Sequence, residues 1–160
     1  MANGDKMAEK AFNDFKKRLN KIKWNYSAGM AGGKRVIHTG VQGDDVPMEL
    51  HIVFDHEREL TLLFSQLPVA LPKDKIIEGA VAIAMVNHHI LQGCFDLDAD
   101  EGTVTFRLID DWTGGVSDGE VCENMLGMAC QTIDRNNDKL IAFAEDKMTR
   151  DELFAFVRGN

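Results

Sequence analysis

The stretch that decides the fold class is residues 48–65, Met-Glu-Leu-His-Ile-Val-Phe-Asp-His-Glu-Arg-Glu-Leu-Thr-Leu-Leu-Phe-Ser. Apolar residues occupy every second position from Met48 to Phe54 and again from Leu60 to Phe64. A period of two is typical of a strand with one buried face. A short polar segment, residues 55–58, separates the two runs, so the pattern predicts an antiparallel hairpin.

Further strands are predicted on both sides of this hairpin. The apolar and β-branched residues within 34–41 predict a strand, and residues 43–45 predict the turn that leads into the hairpin. A second hairpin is predicted from the alternating residues 94–98 and 103–108, joined by the turn at 99–102. Residues 24–33 are ambiguous, because their glycines mark either loops or strand edges. We expect Pro68 and Pro72 to bracket the exit from the sheet.

Helices are predicted before and after these strands. One apolar stripe, at four- and three-residue spacing, indicates an amphipathic helix near the start of the chain: Ala8, Phe12, Phe15, Leu19 and Ile22. Residues 76–91 are apolar on most sides, which predicts a helix buried on more than one face, with Gly93 as its end. Ser117 to Glu120 and Thr149 to Glu152 have the spacing of a capping box and would begin a long and a short final helix.

This order of elements predicts a single α+β domain spanning residues 1–160. Its antiparallel sheet would have five strands, in the order α-βββ-α-ββ-α followed by the short helix, and helices would pack against it. A parallel sheet is disfavoured because both clear strand pairs are joined by turns too short for a crossover. No repeat or linker divides the chain.

Charge and cysteine content exclude several classes of function. The formal net charge is −8, so we expect no nucleic acid as a general partner. The charge is uneven, at +4 for residues 1–23 and −12 for residues 24–160. Three cysteines without Cys-x-x-Cys spacing argue against a disulfide framework and against a zinc site. We expect no signal peptide, no membrane span and a cytoplasmic location.

A set of residues in the second half of the chain resembles the YbjN-like family, which has the type III secretion chaperone-like fold. These residues are Asn87, Gly93-Cys-Phe95, Asp98 with Gly102, and Phe106-Arg107; upstream, Gly43-Asp-Asp-Val-Pro-Met48 and Leu67-Pro68 also fit. The resemblance covers about residues 24–146. The N-terminal helix (1–23) precedes it, and the short C-terminal helix (149–158) has no counterpart that we recognise.

The resemblance implies a non-enzymatic bacterial protein with a chaperone-like or regulatory role. Members of the family are mostly uncharacterised and are often described as candidate sensory transduction regulators. The related secretion chaperones are small acidic homodimers that bind extended segments of partner proteins. The resemblance therefore implies a homodimer with a protein or peptide partner, and it carries over no catalytic, cofactor-binding or metal-binding residue.

Four of the matched residues have a structural role implied by the resemblance. We expect Gly93 to adopt a positive φ and to end its helix, and Phe95 to fill the core. Asn87 would bind backbone groups near the second hairpin, and Arg107 would pair with an acidic neighbour across the sheet.

Candidate metal ligands fail on their spacing. Asp96-x-Asp98-x-Asp100 lacks the glycine and the final carboxylate of a calcium loop, and Asp134-x-Asn136-x-Asp138 has Lys139 where the glycine belongs. His88 and His89 are adjacent on a predicted helix and would point about 100° apart. We therefore expect no metal, cofactor or catalytic residue.

Two alternatives to a protein-binding function stay open. One is a small-molecule or metal-dependent enzyme whose site is assembled from distant residues, such as His51, His89 and Asp98. The other is peripheral docking on a membrane or a partner through the basic helix of residues 5–23, for which the Phe12–Phe15 stripe would have to be exposed.

Overall fold

The central sheet has six antiparallel strands, in the spatial order β1-β2-β3-β4-β6-β5. The computed structural model describes residues 3–159. The strands are β1 (Ser27–Ala31), β2 (Lys34–Gln42), β3 (Pro47–Asp55), β4 (Leu60–Ala70), β5 (Cys94–Leu97) and β6 (Thr103–Asp111). The helices are α1 (Asn3–Lys21), α2 (Ile76–His89), α3 (Gly119–Ala144) and α4 (Arg150–Arg158). The predicted α+β class and antiparallel sheet are confirmed, and the predicted number of five strands is wrong.

The strand that the sequence pattern did not predict is β1. All five of its residues, Ser-Ala-Gly-Met-Ala, are exposed on both faces of the sheet. A strand with no buried face has no reason to alternate apolar and polar residues, so it carries no periodic signal. β1 pairs with β2 through a tight turn in which Gly32 and Gly33 have φ values of 55° and 77°, a conformation that glycine adopts without steric cost.

One face of the sheet, here called the inner face, is covered by helices. The side chains of Leu50, Ile52 and Phe54 on β3 are fully buried there. From α1, the rings of Phe12 and Phe15 meet the ring of Phe54 edge-on, with centroids 5.5 and 5.9 Å apart. The docking alternative that needed an exposed Phe12–Phe15 stripe is therefore wrong.

The opposite face of the sheet, here called the outer face, lacks such a cover. Cross-strand partners share a face, and the register places Val53, Leu62 and Ile109 in one row across β3, β4 and β6. None of these three side chains packs with the hydrophobic core. Val53 and Leu62 are half-buried and Ile109 is 44% exposed. An apolar row therefore remains on the surface of the sheet.

Of two expected boundaries, one is confirmed and one is wrong. β4 ends at Ala70, so Pro68 and Pro72 bracket the exit from the sheet as expected; Pro68 itself lies inside β4, where the pairing with β6 is irregular between Gln66 and Ala70. Such an interruption accommodates a residue that has no N–H to donate. Gly93 does not end α2, which stops at His89. Its φ of 80° is as expected, and an added Cβ would come within 2.6 Å of the Phe106 ring.

Of the two predicted capping boxes, only the second forms. Thr149 caps α4: its hydroxyl accepts from Glu152 N–H, and the Glu152 carboxylate accepts from Thr149 N–H. At α3 the cap is Asp118, whose carboxylate accepts from the N–H groups two and three residues on. Ser117 instead donates its hydroxyl to Asp110, 2.7 Å away. A carboxylate is as good an N-cap as a hydroxyl, so adjacent Ser and Asp compete for the position.

Within residues 3–159, no helix combines the length and the apolar composition that crossing a bilayer requires.

Candidate functional site

The outer edge of β5 is covered by a side chain from α2. Asn87 donates its amide N–H to Phe95 C=O at 2.9 Å, and its amide oxygen accepts from Phe95 N–H at 2.8 Å. The Asp98 N–H donates to the Thr103 C=O. Because backbone groups alternate in direction along a strand, the N–H and C=O groups of the even-numbered residues of β5 face β6, and those of Phe95 face away from it. The Asn87 side chain thus forms hydrogen bonds with the backbone of this edge strand, as a further strand would. The expected role of Asn87 is confirmed.

The adjacent strand, β6, has an uncovered edge of its own. β5 has only four residues and pairs with β6 over residues 104–107, whereas β6 continues to Asp111. Backbone groups alternate in direction along a strand, so Ile109 and Asp111 direct their N–H and C=O groups to the side from which β5 is missing. In the described part of the chain no strand pairs with residues 108–111 on that side. An unpaired edge of this kind is a template for another strand.

A hollow of about 680 Å³ lies along this open edge. Its walls come from the end of β6 and from the first half of α3, including Leu108, Val121 and Met125. A second hollow of about 370 Å³ lies between α3 and the loop that follows α2, and the two hollows share Gln92 and Met128. We call these two adjoining hollows, bounded by residues 89–94, 107–111 and 121–136, the edge groove.

The edge groove is rich in exposed apolar side chains. Leu91 is fully exposed, Ile109 is 44% exposed and Val121 is 41% exposed. Six large apolar residues are exposed among residues 3–159, and three of them border this groove, Ile109 with its side chain on the outer face of the sheet. Exposed apolar residues that cluster beside a concave surface mark an interaction site more often than scattered ones do.

Polar groups at the β6 end of the groove are already engaged. Burial raises the pKa of the Asp110 carboxyl above its ordinary value, against the opposing effect of the Ser117 hydroxyl that donates to it. Arg107 contacts Asp96 at 2.6 Å, as expected for a cross-strand pair, and this bond lowers the pKa of the Asp96 carboxyl. These bonds occupy the charged groups on the rim of the groove.

The three cysteines are free thiols held in their neutral form. Burial raises the pKa of Cys122 to about 12 and that of Cys130 to about 11. Burial also raises the pKa of Cys94, which lies beside Asp96. Because the thiolate is the reactive species, thiols of this kind are poor nucleophiles.

The residues suggested for an assembled enzyme site lie in separate places. His51 lies in the middle of β3, on the outer face, and His89 ends α2 at the edge groove. Asp98 accepts from the N–H groups of Asp100 and Glu101 within the β5–β6 turn. Neither a hydrogen bond nor an ion pair joins the three, so the arrangement proposed from the sequence does not form.

The acidic motifs also have local roles. Asp134, Asn136 and Asp138 lie within the continuous helix α3, so they do not form a calcium loop. Asp134 accepts from Asp44 N–H, and Asn136 donates to Thr132 C=O. Over residues 3–159, no set of three or more His, Cys, Asp or Glu side chains has the geometry to hold a metal ion.

The edge groove itself was not predicted from the sequence. One signal was present, because the predicted strand run around Phe95 is shorter than the run around Phe106. Unequal strand lengths in a hairpin leave part of the longer strand unpaired. Whether a helix then covers that part depends on how α3 crosses the sheet, which the hydrophobic pattern does not specify.

Comparison with known proteins supports a YbjN-like fold. The chain is similar to the crystal structure of YbjN from E. coli, a protein described as a candidate transcription regulator, with a TM-score of 0.55 and 10% sequence identity. The match covers 84% of this chain and 92% of that chain. No protein-family profile matches the chain, and no curated protein matches it. At this identity the likeness shows the fold alone.

Proposed function

We propose that this is a non-enzymatic, chaperone-like or regulatory protein that binds an extended segment of a partner protein in the edge groove. The observation that carries the proposal is the open edge of β6 at residues 108–111, which shares a hollow with the exposed side chain of Val121 and the half-buried side chain of Met128 on α3. A regulatory role is compatible with the description of the structural neighbour YbjN as a candidate transcription regulator. The neutral free thiols suit a reducing compartment such as the cytoplasm.

The proposed segment binds as an added strand. Its backbone bonds to the free N–H and C=O groups of Ile109 and Asp111, which supplies affinity without regard to sequence. Alternate side chains then face the hollow that Val121 and Met125 line. Specificity comes from those side chains, since successive residues of a strand point to opposite sides.

Charge favours a segment with basic residues next to its apolar ones. Asp110 and Asp111 lie at the β6 end of the groove, and residues 24–160 carry a net charge of −12. Opposite charge on the segment speeds the encounter and disfavours acidic competitors. The same acidic surface makes a nucleic acid an unsuitable partner.

We also propose that the protein forms a homodimer through α2. The exposed side of this helix carries Ile77, Ala80, Val81 and Ala84, spaced so that they form one stripe. Ile77 is 76% exposed and Val81 is 46% exposed. A second copy presents the same stripe, so a two-fold axis buries both at once. This surface lies outside the edge groove, so both interactions are possible at the same time.

Two matched substitutions separate the surfaces. Val121 in the groove and Val81 on α2 are both helical valines of similar exposure, at 41% and 46%. We expect Val121→Glu to abolish capture of the partner and to leave the mass in light scattering unchanged. We expect Val81→Glu to convert a dimer to a monomer and to leave capture unchanged. Circular dichroism of both variants checks that each is folded.

The binding mode is tested by hydrogen exchange on the captured complex. We expect the partner to slow exchange at the amides of Ile109 and Asp111, and to leave exchange at β1 unchanged, although β1 is the opposite edge of the same sheet. Capture that survives Val121→Glu, or protection that falls on β1 instead of β6, would contradict the groove. A monomer at micromolar concentration would contradict only the dimer.

A further inference from the structure

Two histidines face each other on the outer face of the sheet. His38 on β2 and His51 on β3 are direct cross-strand partners in the antiparallel register. Their Nδ1 atoms are 2.6 Å apart. One ring therefore donates the single proton that both nitrogens share, and the other accepts it with its lone pair. If that proton moves to the Nε2 atom of its own ring, both Nδ1 atoms have a free lone pair.

The surroundings position one ring and leave the other accessible. The ring of His51 stacks on that of Phe64 from β4, with centroids 5.0 Å apart and an angle of 18° between the planes. His38 is exposed to solvent, and its ring meets that of His51 nearly at a right angle. A hollow of about 250 Å³ next to the pair is lined by both rings and by Ser27 and Glu49. An ion can therefore reach the pair from solvent.

We propose that His38 and His51 form a binding site for a late first-row divalent metal ion such as Ni²⁺ or Cu²⁺. Imidazole nitrogen is a preferred ligand of these ions. Because the protein supplies only two ligands, water fills the remaining coordination positions of the ion. The site is therefore open to solvent, and the ion can exchange. The ion links β2 to β3, and the ring that carries the Nδ1 proton adopts its Nε2–H tautomer, so that both Nδ1 lone pairs are free to bind.

The spacing of the nitrogens selects among metals. Metal–nitrogen bonds are about 2.0–2.1 Å long, so nitrogens 2.6 Å apart subtend about 80° at the ion. Opening the pair to about 2.9 Å gives the 90° of a square-planar or octahedral ion, whereas a tetrahedral ion needs about 3.3 Å. The two nitrogens need to separate less for Ni²⁺ or Cu²⁺ than for Zn²⁺, which favours the first two ions. Their higher intrinsic affinities for such ligands favour them as well.

Charge state supports binding at neutral pH. Burial lowers the pKa of His51 below its usual value, and the neighbouring His38 acts in the same direction, while Glu49 opposes them. The His51 ring is then available as a neutral ligand at pH 7. The acidic character of the chain also attracts cations.

Nickel titration of the tag-free full chain tests the site. We expect calorimetry at pH 7.5 to show one Ni²⁺ per chain, with weaker Zn²⁺ binding and no competition from Mg²⁺. Both His38→Ala and His51→Ala are expected to weaken Ni²⁺ binding about tenfold or more, because the second nitrogen then no longer acts intramolecularly. His38 is exposed, so its variant stays informative even where His51→Ala impairs folding.

A second histidine pair serves as the control. His88 and His89 at the end of α2 have ring centroids 5.2 Å apart, but no ring nitrogens in contact. We expect the double variant His88→Ala/His89→Ala to bind Ni²⁺ like the wild type, and paramagnetic broadening to fall on His38 and His51. Wild-type binding that is undetectable at millimolar Ni²⁺, that persists in His38→Ala or that is lost in the control variant would overturn the proposal.

Discussion

The inner and outer faces of the sheet are built from the same strands and have different roles. On β3 the inner side chains of Leu50, Ile52 and Phe54 are fully buried, whereas His51 and Val53 between them are only partly covered. Covering one face is enough to form a core, so the other face is free to vary. Here the outer face keeps apolar and aromatic residues where solvation alone would favour polar ones. It is therefore an apolar and aromatic surface that is partly open to solvent.

The largest expected contrast is between two phenylalanines. Phe54 is fully buried on the inner face and Phe64 is half-buried on the outer face of the next strand. Phe54→Ala should destabilise the fold by about 3–5 kcal/mol, the cost of a large cavity in a core. Phe64→Ala should cost about 1 kcal/mol, because solvent reaches the vacated space. Urea unfolding of both variants measures the difference. Equal losses would mean that the outer face is covered in solution.

A smaller effect is expected where α2 meets the edge of β5. Asn87→Ala removes both bonds to the backbone of Phe95 and should cost about 1–3 kcal/mol. Asn13→Ala, at an exposed position on α1, is the matched control and should change stability by less than about 0.5 kcal/mol. Hydrogen exchange at Phe95 should accelerate only in the first variant. Unchanged exchange there would show that the side chain does not protect this edge.

The cap of α4 has a comparable but more local effect. Leu153 and Val157 of this helix are buried in the core, so fraying of its first turn weakens its packing. Thr149→Ala should destabilise the fold by about 1 kcal/mol through loss of the capping hydroxyl. Thr149→Ser keeps the hydroxyl and should restore most of that loss. Thermal unfolding compares the two, and equal melting temperatures would argue against the capping box.

The smallest expected effect is a dependence on pH that originates on the outer face. The folded-state pKa of His51 lies below its ordinary value of 6.5, chiefly because the ring is partly buried. The unfolded chain therefore takes up this proton first as the pH falls. Its contribution to stability is complete above about pH 6.5 and is lost as the pH falls toward the folded pKa.

The measurement is the urea midpoint at pH 7.5 and at pH 5, a range in which most carboxylates stay ionised. The wild type should lose more stability between these values than His51→Gln, which cannot titrate. Identical losses would show that His51 does not contribute to the pH dependence.

Much of the fold was predictable because the signals are local. The alternation in residues 48–65 predicted β3 and the first part of β4, and the stripe through Phe15 and Leu19 predicted α1 and its buried side. Buried Phe95 and the Arg107–Asp96 pair were also expected. The errors have local causes as well: β1 has no buried face, and Asp118 took the capping position from Ser117.

Apart from β1, the sequence by itself determined which segments are strands and helices and which side of each is apolar, because both properties repeat with the period of the local backbone. Only the tertiary structure decided that β6 extends beyond β5 and that α3 leaves a groove beside it. It also decided that His38 lies opposite His51, a pairing that no pattern in the sequence predicts. The two residues are equally far from the Asp44–Asp45 bond, so they pair only if the turn is centred on that bond. The sequence did not specify where the turn is centred. A shift of one residue in this pairing would separate the two rings, since contacts between strands depend on register and not on periodicity.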